Sequence, residues 1–197
     1  MRRSMDAAAT PPAAPDARTR ILDAVERIVQ ARGVAGLTLE AAAREAGVSK
    51  GGLLYHFASK EALLAGLMQR LADFAAAEFA ATVARQPEGP GRVARAFIAW
   101  AFGEAECSPG QDRHDRAAAV FLAAFHHDPA LLDRMRAVLA RMKDALLADG
   151  IPHGAAMTVL TATDGLFMAR LFGLYRPTEA DLAALRATLD GLIGAAP

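Results

Sequence analysis

The stretch from Leu37 to Lys60 reads LTLEAAAREAGVSKGGLLYHFASK. It predicts two short helices joined by a tight turn and followed at once by the start of a long third helix. Thr38 and Ser49 stand where a side-chain oxygen can cap each short helix by accepting a hydrogen bond from a backbone N–H. Gly47 lies between the helices, where the chain needs a residue that tolerates a left-handed backbone. This pattern is typical of a helix-turn-helix, whose second helix enters the major groove of DNA.

The apolar residues of this stretch are spaced to hold the two short helices together. Ala42, Ala43 and Ala46 fall on one face of the first helix. Leu53 and Phe57 of the second helix are predicted to point back at that face. Because the alanine side chains are small, the two helices can approach each other closely.

The run GVSKGGLLYHFASKEALL, from Gly47 to Leu64, resembles the DNA-binding signature of the TetR (tetracycline-repressor) family of bacterial transcriptional regulators. The resemblance is carried by residues at fixed spacing, namely Val48, Ser49, Lys50, Gly51, Tyr55, Phe57, Ser59, Lys60 and Glu61. It implies an all-α fold, in which an N-terminal three-helix helix-turn-helix head is joined by a long helix to a C-terminal helical ligand-binding and dimerisation domain. It also implies a homodimer that binds DNA and responds to a small molecule.

Composition and periodicity divide the 197-residue chain into three segments. Residues 1–15 are rich in alanine and proline and predict a disordered arm, whose arginines either follow the DNA backbone or make no contact. Residues 16–60 form the predicted DNA-binding domain. Residues 61–197 form the predicted ligand-binding and dimerisation domain, which opens with a helix that runs to about Arg85 and stays helical to its end.

Composition also excludes several classes of protein. Lys+Arg and Asp+Glu are balanced at 22 each, so the chain lacks the overall basic charge of many nucleic-acid-binding proteins. A single cysteine, Cys107, excludes a framework of intrachain disulfides and fits a reducing cytosol. The sequence shows neither a secretory signal nor the roughly 20 consecutive apolar residues that a membrane span needs. It therefore predicts a cytoplasmic protein with no membrane partner.

Polar residues and glycines of the head are the candidates for DNA contact. Lys50 can reach a base or a phosphate, and Tyr55 and His56 can donate hydrogen bonds to phosphates. The resemblance implies contacts for Thr38 and Lys60 as well. The full predicted set is Thr38, Ser49, Lys50, Gly51, Gly52, Tyr55, His56 and Lys60. For Tyr55 the alternative is a core aromatic residue, and for the glycines it is a frayed helix instead of close approach of the backbone to DNA.

Aromatic and long apolar residues of the second domain can line a pocket for an apolar or aromatic effector. The residues predicted for this site are Phe97, Trp100, Phe121, Phe125, His126, Met135, Phe167 and Arg170. At helical spacing, such residues are also what a plain hydrophobic core contains. The resemblance implies a small-molecule site in this half of the chain and therefore favours the pocket.

The last two predicted helices are apolar on more than one face. Because a helix that is apolar all round is buried, a two-fold partner is predicted to cover them in a four-helix interface. The residues predicted for this interface are Leu166, Ala169, Leu185, Leu189 and Leu192. The resemblance implies that the same two helices form the dimer.

The sequence His126-His127-Asp128 is a weak candidate for a metal site. Neighbouring residues of a helix point about 100° apart, so the two imidazoles cannot share one ion without further ligands. Capping of the next helix by Asp128 already accounts for the aspartate. No metal site, no cofactor and no catalytic residue is predicted, and the chain is not expected to be an enzyme.

Together these features predict a dimeric transcriptional repressor. It binds double-stranded DNA at a palindromic operator and leaves it when a small apolar or aromatic effector binds. The alternative is a non-specific architectural DNA-binding protein without an effector, which would bind random duplexes with similar affinity.

Overall fold

The computed structural model describes residues 16–103, 120 and 127–194. Within these residues the chain forms eight α-helices and two short 3-10 helices, and no strand occurs among them. The predicted all-α fold is therefore confirmed. The predicted arm, residues 1–15, lies outside the described residues.

The head is formed by three helices and one 3-10 helix, which are α1 (Ala17–Arg32), the 3-10 helix Val34–Gly36, α2 (Leu39–Ala46) and α3 (Lys50–His56). The two predicted caps are confirmed. The backbone nitrogen of Ala41 lies 3.0 Å from Oγ1 of Thr38, and that of Gly52 lies 3.0 Å from Oγ of Ser49. Gly47 ends α2 with φ 65° and ψ 37°, the left-handed conformation that favours glycine. Local sequence therefore sets both ends of the turn.

The head shares its hydrophobic core with the first half of the next helix, α4 (Lys60–Arg85). Leu53 is fully buried and Phe57 nearly so, as predicted. The buried residues of this head core are Ile21, Leu22, Ala24, Val25, Ile28, Val29, Leu37, Ala42, Ala43, Ala46, Leu53, Phe57, Leu63, Leu64, Leu67, Met68 and Val120. Because α4 supplies four of them, the head and the start of α4 form one packed unit.

Arg70 of α4 also ties the head to this helix. Its guanidinium donates to Oδ1 of Asp23 at 2.5 Å and to Glu26, both of which lie on α1. It also donates to the backbone oxygen of Leu22 at 3.2 Å. Charge-assisted hydrogen bonds of this kind are stronger and more directional than neutral ones. Movement of α4 therefore carries α1 with it.

The second half of the chain contains four more described α-helices and a 3-10 helix: α5 (Arg92–Ala101), the 3-10 helix Pro129–Leu132, α6 (Asp133–Leu147), α7 (His153–Phe172) and α8 (Glu179–Gly194). Their buried side chains form a second core that contains Phe79, Phe97, Ile98, Met135, Val138, Met142, Leu146, Val159, Leu189 and Ile193. The predicted Thr178–Asp181 capping pattern opens α8, since the backbone nitrogen of Asp181 lies 3.2 Å from Oγ1 of Thr178.

The helix start at Asp128 differs from the sequence expectation. Asp128 caps a 3-10 helix instead of an α-helix, because Leu131 bonds back to the Asp128 carbonyl in an i→i+3 pattern. Leu131 and Leu132 in this turn pack on the head core, which links the two halves of the chain. Helix α5 ends at Ala101 and is followed by a turn at Gly103, whose φ is 80°.

The far end of α4 is anchored to α5 and α6. The Arg92 side chain donates to the backbone oxygens of Val83 and Ala84, at 3.1 and 3.4 Å. These carbonyls belong to the last turn of α4, and that of Val83 also accepts from the backbone N–H of Gln86, at 3.0 Å. We call this end of α4, together with the start of α5, the distal anchor.

Asp149 completes the distal anchor from the end of α6. Its carboxylate accepts hydrogen bonds from the backbone N–H groups of Val93, at 3.0 Å, and Ala94, at 2.8 Å. A carboxylate at the positive end of α5 is favoured by the helix dipole. The backbone oxygen of Asp149 also accepts from Gly91, at 2.9 Å.

Of the described helices, α7 is long and apolar enough to cross a membrane by length and composition alone. The sequence alone predicts no such segment. One third of this stretch is buried within the protein, and the helix carries Asp164 and Arg170. Core helices of water-soluble proteins meet the same two criteria, so the helix is no argument for a membrane protein.

Candidate functional site

Helix α3 lies at an exposed edge of the head. Only Leu53 faces the core, while the other six residues of the helix are exposed. The predicted DNA contacts Lys50, Gly51, Gly52, Tyr55 and His56 all belong to that exposed set. The structure thus leaves these residues accessible on a surface that we call the α3 edge. In a helix-turn-helix the second helix is the one that enters the major groove.

Tyr55 is the most exposed large side chain of this edge. It is 87% exposed, and its ring meets that of His56 edge-on with centroids 5.1 Å apart. The alternative of a core aromatic residue is therefore wrong. A phenol and an imidazole side by side at the end of α3 offer two hydrogen-bond donors to the DNA backbone.

Thr38 and Ser49, which are also predicted DNA contacts, cap the starts of α2 and α3. Each hydroxyl oxygen accepts one backbone N–H at its helix start. A hydroxyl has one proton to donate besides its acceptor positions, so each can cap its helix and still donate to a phosphate.

Lys50 is held by a residue that the sequence analysis did not single out. Its Nζ lies 2.5 Å from Oε1 of Glu40, and both side chains are more than half exposed. This hydrogen bond lowers the pKa of the Glu40 carboxyl below its usual range. Glu40 could have been singled out from the sequence, because it is an acid in the first turn of α2, close to the capping Thr38.

Lys60 occupies a different position from the other predicted DNA contacts. Its Nζ donates to the backbone oxygen of Val34 at 2.7 Å, and the residue is half-buried. This bond joins the start of α4 to the 3-10 helix after α1. Since an ammonium has three donors, two remain for a phosphate.

Gly51 and Gly52 lie in a regular helix, which argues against the frayed-helix alternative. A Cβ added at Gly51 would meet no atom within 4 Å, and one at Gly52 would meet only Oγ of Ser49, at 3.2 Å. The fold of the protomer therefore does not require glycine at position 51. Close approach of the backbone to DNA at this position stays a prediction.

Replacing Gly51 with alanine separates these two explanations. We expect Gly51→Ala to raise the free energy of unfolding by up to about 1 kcal/mol, because alanine favours the helix over glycine. We expect DNA affinity to fall at the same time, because the added methyl group occupies the space of close approach. Thermal melts and fluorescence anisotropy with labelled duplex measure the two effects. Unchanged affinity in a stabilised variant would contradict close approach.

Of the residues predicted for the ligand site, some are buried, some are half-buried and some lie outside the described part of the chain. Phe97 and Met135 are buried in the second core, and Trp100 is half-buried at its edge. Phe79, which was not in the predicted set, contacts Phe97 and Trp100 edge-on, with centroids 4.7 and 5.7 Å apart. Phe167 is half-buried on α7. Three further predicted residues lie outside the described part of the chain, namely Phe121, Phe125 and His126.

Arg170 has a partner within the chain. Its Nη1 donates to the backbone oxygen of Ala101 at 2.5 Å, which closes the last turn of α5. The described structure thus gives it a role in joining α7 to α5.

Solvent-open cavities occur at two places among the described helices that follow the head. The first, which we call the α4–α6 groove, has a volume of about 340 Å³ and is lined by Ala76, Phe79, Ala80, Val83, Val93, Val138, Arg141, Met142 and Ala145. The second has about 380 Å³ and lies between α7 and α8, beside Tyr175 and Asp181. The groove has an apolar floor with one guanidinium at its wall, and none of the five described residues predicted for the ligand site lines it.

The residues predicted for the dimer interface are mostly buried or half-buried within the protomer. Leu166, Ala169 and Leu189 are buried within the protomer, so they offer almost no surface to a partner. Leu185 and Leu192 are half-buried. The larger side chains of α7 and α8 hold these helices on the rest of the chain, because burial of apolar area stabilises in proportion to its size.

The outward face of α7 and α8 carries mostly small residues at a spacing of three and four. On α7 they are Gly154, Thr158, Thr161, Gly165, Met168 and Phe172, and on α8 they are Ala180, Ala184, Ala187, Gly191 and Gly194. A Cβ at Gly165 or Gly191 would meet nothing within 4 Å in the protomer. We call these two rows the small-residue face.

Two family models match the chain. Residues 21–67 match the family described as "Bacterial regulatory proteins, tetR family". Residues 91–194 match "Tetracyclin repressor-like, C-terminal domain", and this region alone is more than half of the 197 residues. No curated protein matches the chain.

Solved structures with this fold cover nearly the whole chain. The multidrug binding protein EbrR complexed with malachite green is 27% identical, with a TM-score of 0.65, over 91% of this chain and 99% of its own. Its complex with ethidium is 26% identical, with a TM-score of 0.61, over 90% and 99%. A TetR-family member from Streptomyces coelicolor A3 is 28% identical, with a TM-score of 0.63, over 91% and 99%. With its exposed α3 edge and both family regions matched, the chain belongs to the TetR family of bacterial DNA-binding transcriptional regulators.

Proposed function

We propose that the protein is a cytoplasmic repressor that binds a palindromic operator as a homodimer and is released by a small apolar or aromatic effector. The observation that carries this proposal is the exposed α3 edge on a head whose core continues into α4. A surface built to contact DNA is thereby joined, without a flexible linker, to the half of the chain that holds the cavities. Such an arrangement suits a regulator.

The palindromic operator follows from two-fold symmetry. The small-residue face lets a partner's helices approach closely, so that α7 and α8 of two protomers form a four-helix bundle. A two-fold dimer presents two α3 edges related by the same axis. Two half-sites are then read about 34–36 Å apart, one turn of the duplex.

The α4–α6 groove supports an apolar or aromatic effector. Its floor combines Phe79, Val83 and Met142, and its volume lies near the lower end of ligand sites in proteins. The relative EbrR, of similar fold, is complexed with malachite green and with ethidium, both of which are aromatic dyes. An effector of that kind would widen the groove by separating α4 from α6.

We infer that α4 transmits this change to the head. The effector stabilises dimers in which α4 is displaced and the two α3 edges no longer match the half-site spacing. A coupling free energy of about 1–3 kcal/mol would change operator affinity by about 5- to 150-fold.

The experiment begins with selection of duplexes from a randomised pool by the wild-type dimer. We expect enrichment of a palindrome, and log affinity for it should fall linearly with log salt, with a slope near −0.9 per phosphate contacted. Equal affinity for enriched and random duplexes would instead support an architectural DNA-binding protein.

A thermal-shift screen of apolar and aromatic compounds, starting with malachite green, then tests the effector. Compounds that bind should stabilise the protein by about 2.7 kcal/mol at a concentration 100 times Kd and should lower its affinity for the enriched duplex. Ala80→Leu, which fills the exposed groove, should abolish both effects and leave DNA binding intact. Retained compound binding in this variant would place the effector elsewhere.

A further inference from the structure

The ion pair between Glu40 and Lys50 places a negative charge at the DNA-facing side of the head. Glu40 lies in the first turn of α2, two residues after Thr38, and Lys50 opens α3 beside Ser49. The 2.5 Å hydrogen bond crosses from one helix of the motif to the other. A carboxylate at this position repels phosphates, so its presence works against the electrostatic part of DNA binding.

The ion pair also offers an advantage for sequence recognition, because Lys50 keeps donors that can reach a base edge. An ammonium has three donors, so Lys50 can donate one to Glu40 and keep the others for a base edge. The most specific acceptors in the major groove are O6 and N7 of guanine. A lysine whose terminal ammonium is held by Glu40 has less freedom to swing towards the nearest phosphate, which every sequence supplies.

We propose that Glu40 is a specificity-determining residue that orients Lys50 towards a base edge and keeps it from neutralising phosphates on random DNA. Glu40 acts here as a positioning residue, since its own carboxylate contacts no base. The proposal rests on the function proposed above, because it requires an operator that is preferred over other sequences. It goes further by assigning the selectivity to an acid on α2.

Glu45 supplies a matched control on the same helix. It lies in the last turns of α2, where its Oε1 accepts from Nε of Arg27 at 3.0 Å. Its side chain is about as exposed as that of Glu40, at 47% against 61%. Glu40→Gln and Glu45→Gln therefore remove the same charge from the same helix, but only the first releases Lys50.

The test compares two labelled duplexes of equal length, the one enriched by the wild-type dimer and a shuffled one. We expect Glu40→Gln to raise affinity for the shuffled duplex by up to about fivefold per protomer, the upper range for an exposed ion pair. Affinity for the enriched duplex should stay level or fall, so that the ratio of the two affinities drops. Glu45→Gln should leave this ratio unchanged, and Glu40→Asp should restore most of it.

Lys50→Ala completes the test. It should lower the affinity ratio as far as Glu40→Gln does, and the double variant should show no further loss, because both changes act through Lys50. The salt slope for the shuffled duplex should become steeper by about 0.9 for each phosphate that Lys50 gains in Glu40→Gln.

Two results would overturn the proposal and are distinguishable. An unchanged ratio in Glu40→Gln, or equal changes in Glu40→Gln and Glu45→Gln, would show that Glu40 acts only as a bulk charge. Failure of the wild type to enrich any sequence would remove the proposed operator and, with it, this role of Glu40. Circular dichroism melts check that each exposed substitution leaves the fold intact.

Discussion

Replacing Ala187 with glutamate is expected to split the dimer into monomers and to abolish operator binding. Ala187 lies midway along α8 on the small-residue face, and it is exposed in the protomer. In a two-fold interface the new carboxylate would be introduced twice, and each copy would be buried against small apolar residues. An uncompensated buried charge costs about 3–5 kcal/mol or more, which is a large part of the energy of most dimers.

Light scattering and gel shift measure the two consequences. The variant should have the mass of one protomer, 20.7 kDa, whereas the wild type is expected to have twice that mass. Operator affinity should fall by at least about 100-fold, since a single head contacts only one half-site and loses the second contact.

Ala140→Glu is the matched control. Ala140 is exposed on α6, and this change adds the same charge to a helix outside the small-residue face. It should leave both mass and affinity unchanged. A dimeric Ala187→Glu protein that still binds the operator would show that another surface joins the protomers.

Replacing Leu53 with alanine is expected to unfold the head. Leu53 is fully buried and is the one residue of α3 that faces the core. Removal of a buried leucine side chain typically costs about 2–5 kcal/mol, because the neighbouring groups fill the cavity only in part. The head is small, so a loss of this size should separate α3 from α1 and α2 and abolish DNA binding.

Leu54 gives the control in the adjacent position. It is 39% exposed, so Leu54→Ala should change the free energy of unfolding by less than about 0.5–1 kcal/mol. Urea unfolding followed by circular dichroism compares the two variants. Similar losses in both would contradict the placement of Leu53 as the central core residue of α3.

Much of the head could be predicted because its signals are local. Thr38, Ser49 and Ser59 bond to backbone groups three residues away, and Gly47 sets the turn by its own backbone. None of these contacts depends on how helices cross. Periodicity also assigned Leu53 to the core, since one face of α3 is exposed and the other is not.

The contacts between helices could not be predicted in the same way. The bond from Lys50 to Glu40 and that from Lys60 to Val34 depend on the crossing angles of short helices. On α7 and α8 both faces are apolar or small, so periodicity could not tell which face meets the protein and which meets a partner. Leu166 and Leu189 were therefore expected at the interface although they are buried in the protomer.

The distal anchor has a mechanical consequence. Phe79, in the floor of the α4–α6 groove, lies six residues from Arg85 at the fixed end, about 9 Å along the helix axis. Lys60, at the other end of α4, lies 25 residues from Arg85. It is therefore about four times as far from the fixed end as Phe79 is. If α4 moves as a rigid helix, a sideways displacement of about 1 Å at Phe79 becomes one of about 4 Å at Lys60, where α4 enters the head. In the mechanism proposed above, an effector that moves α4 only slightly in the groove would therefore shift the α3 edge enough to lose its match to the half-site.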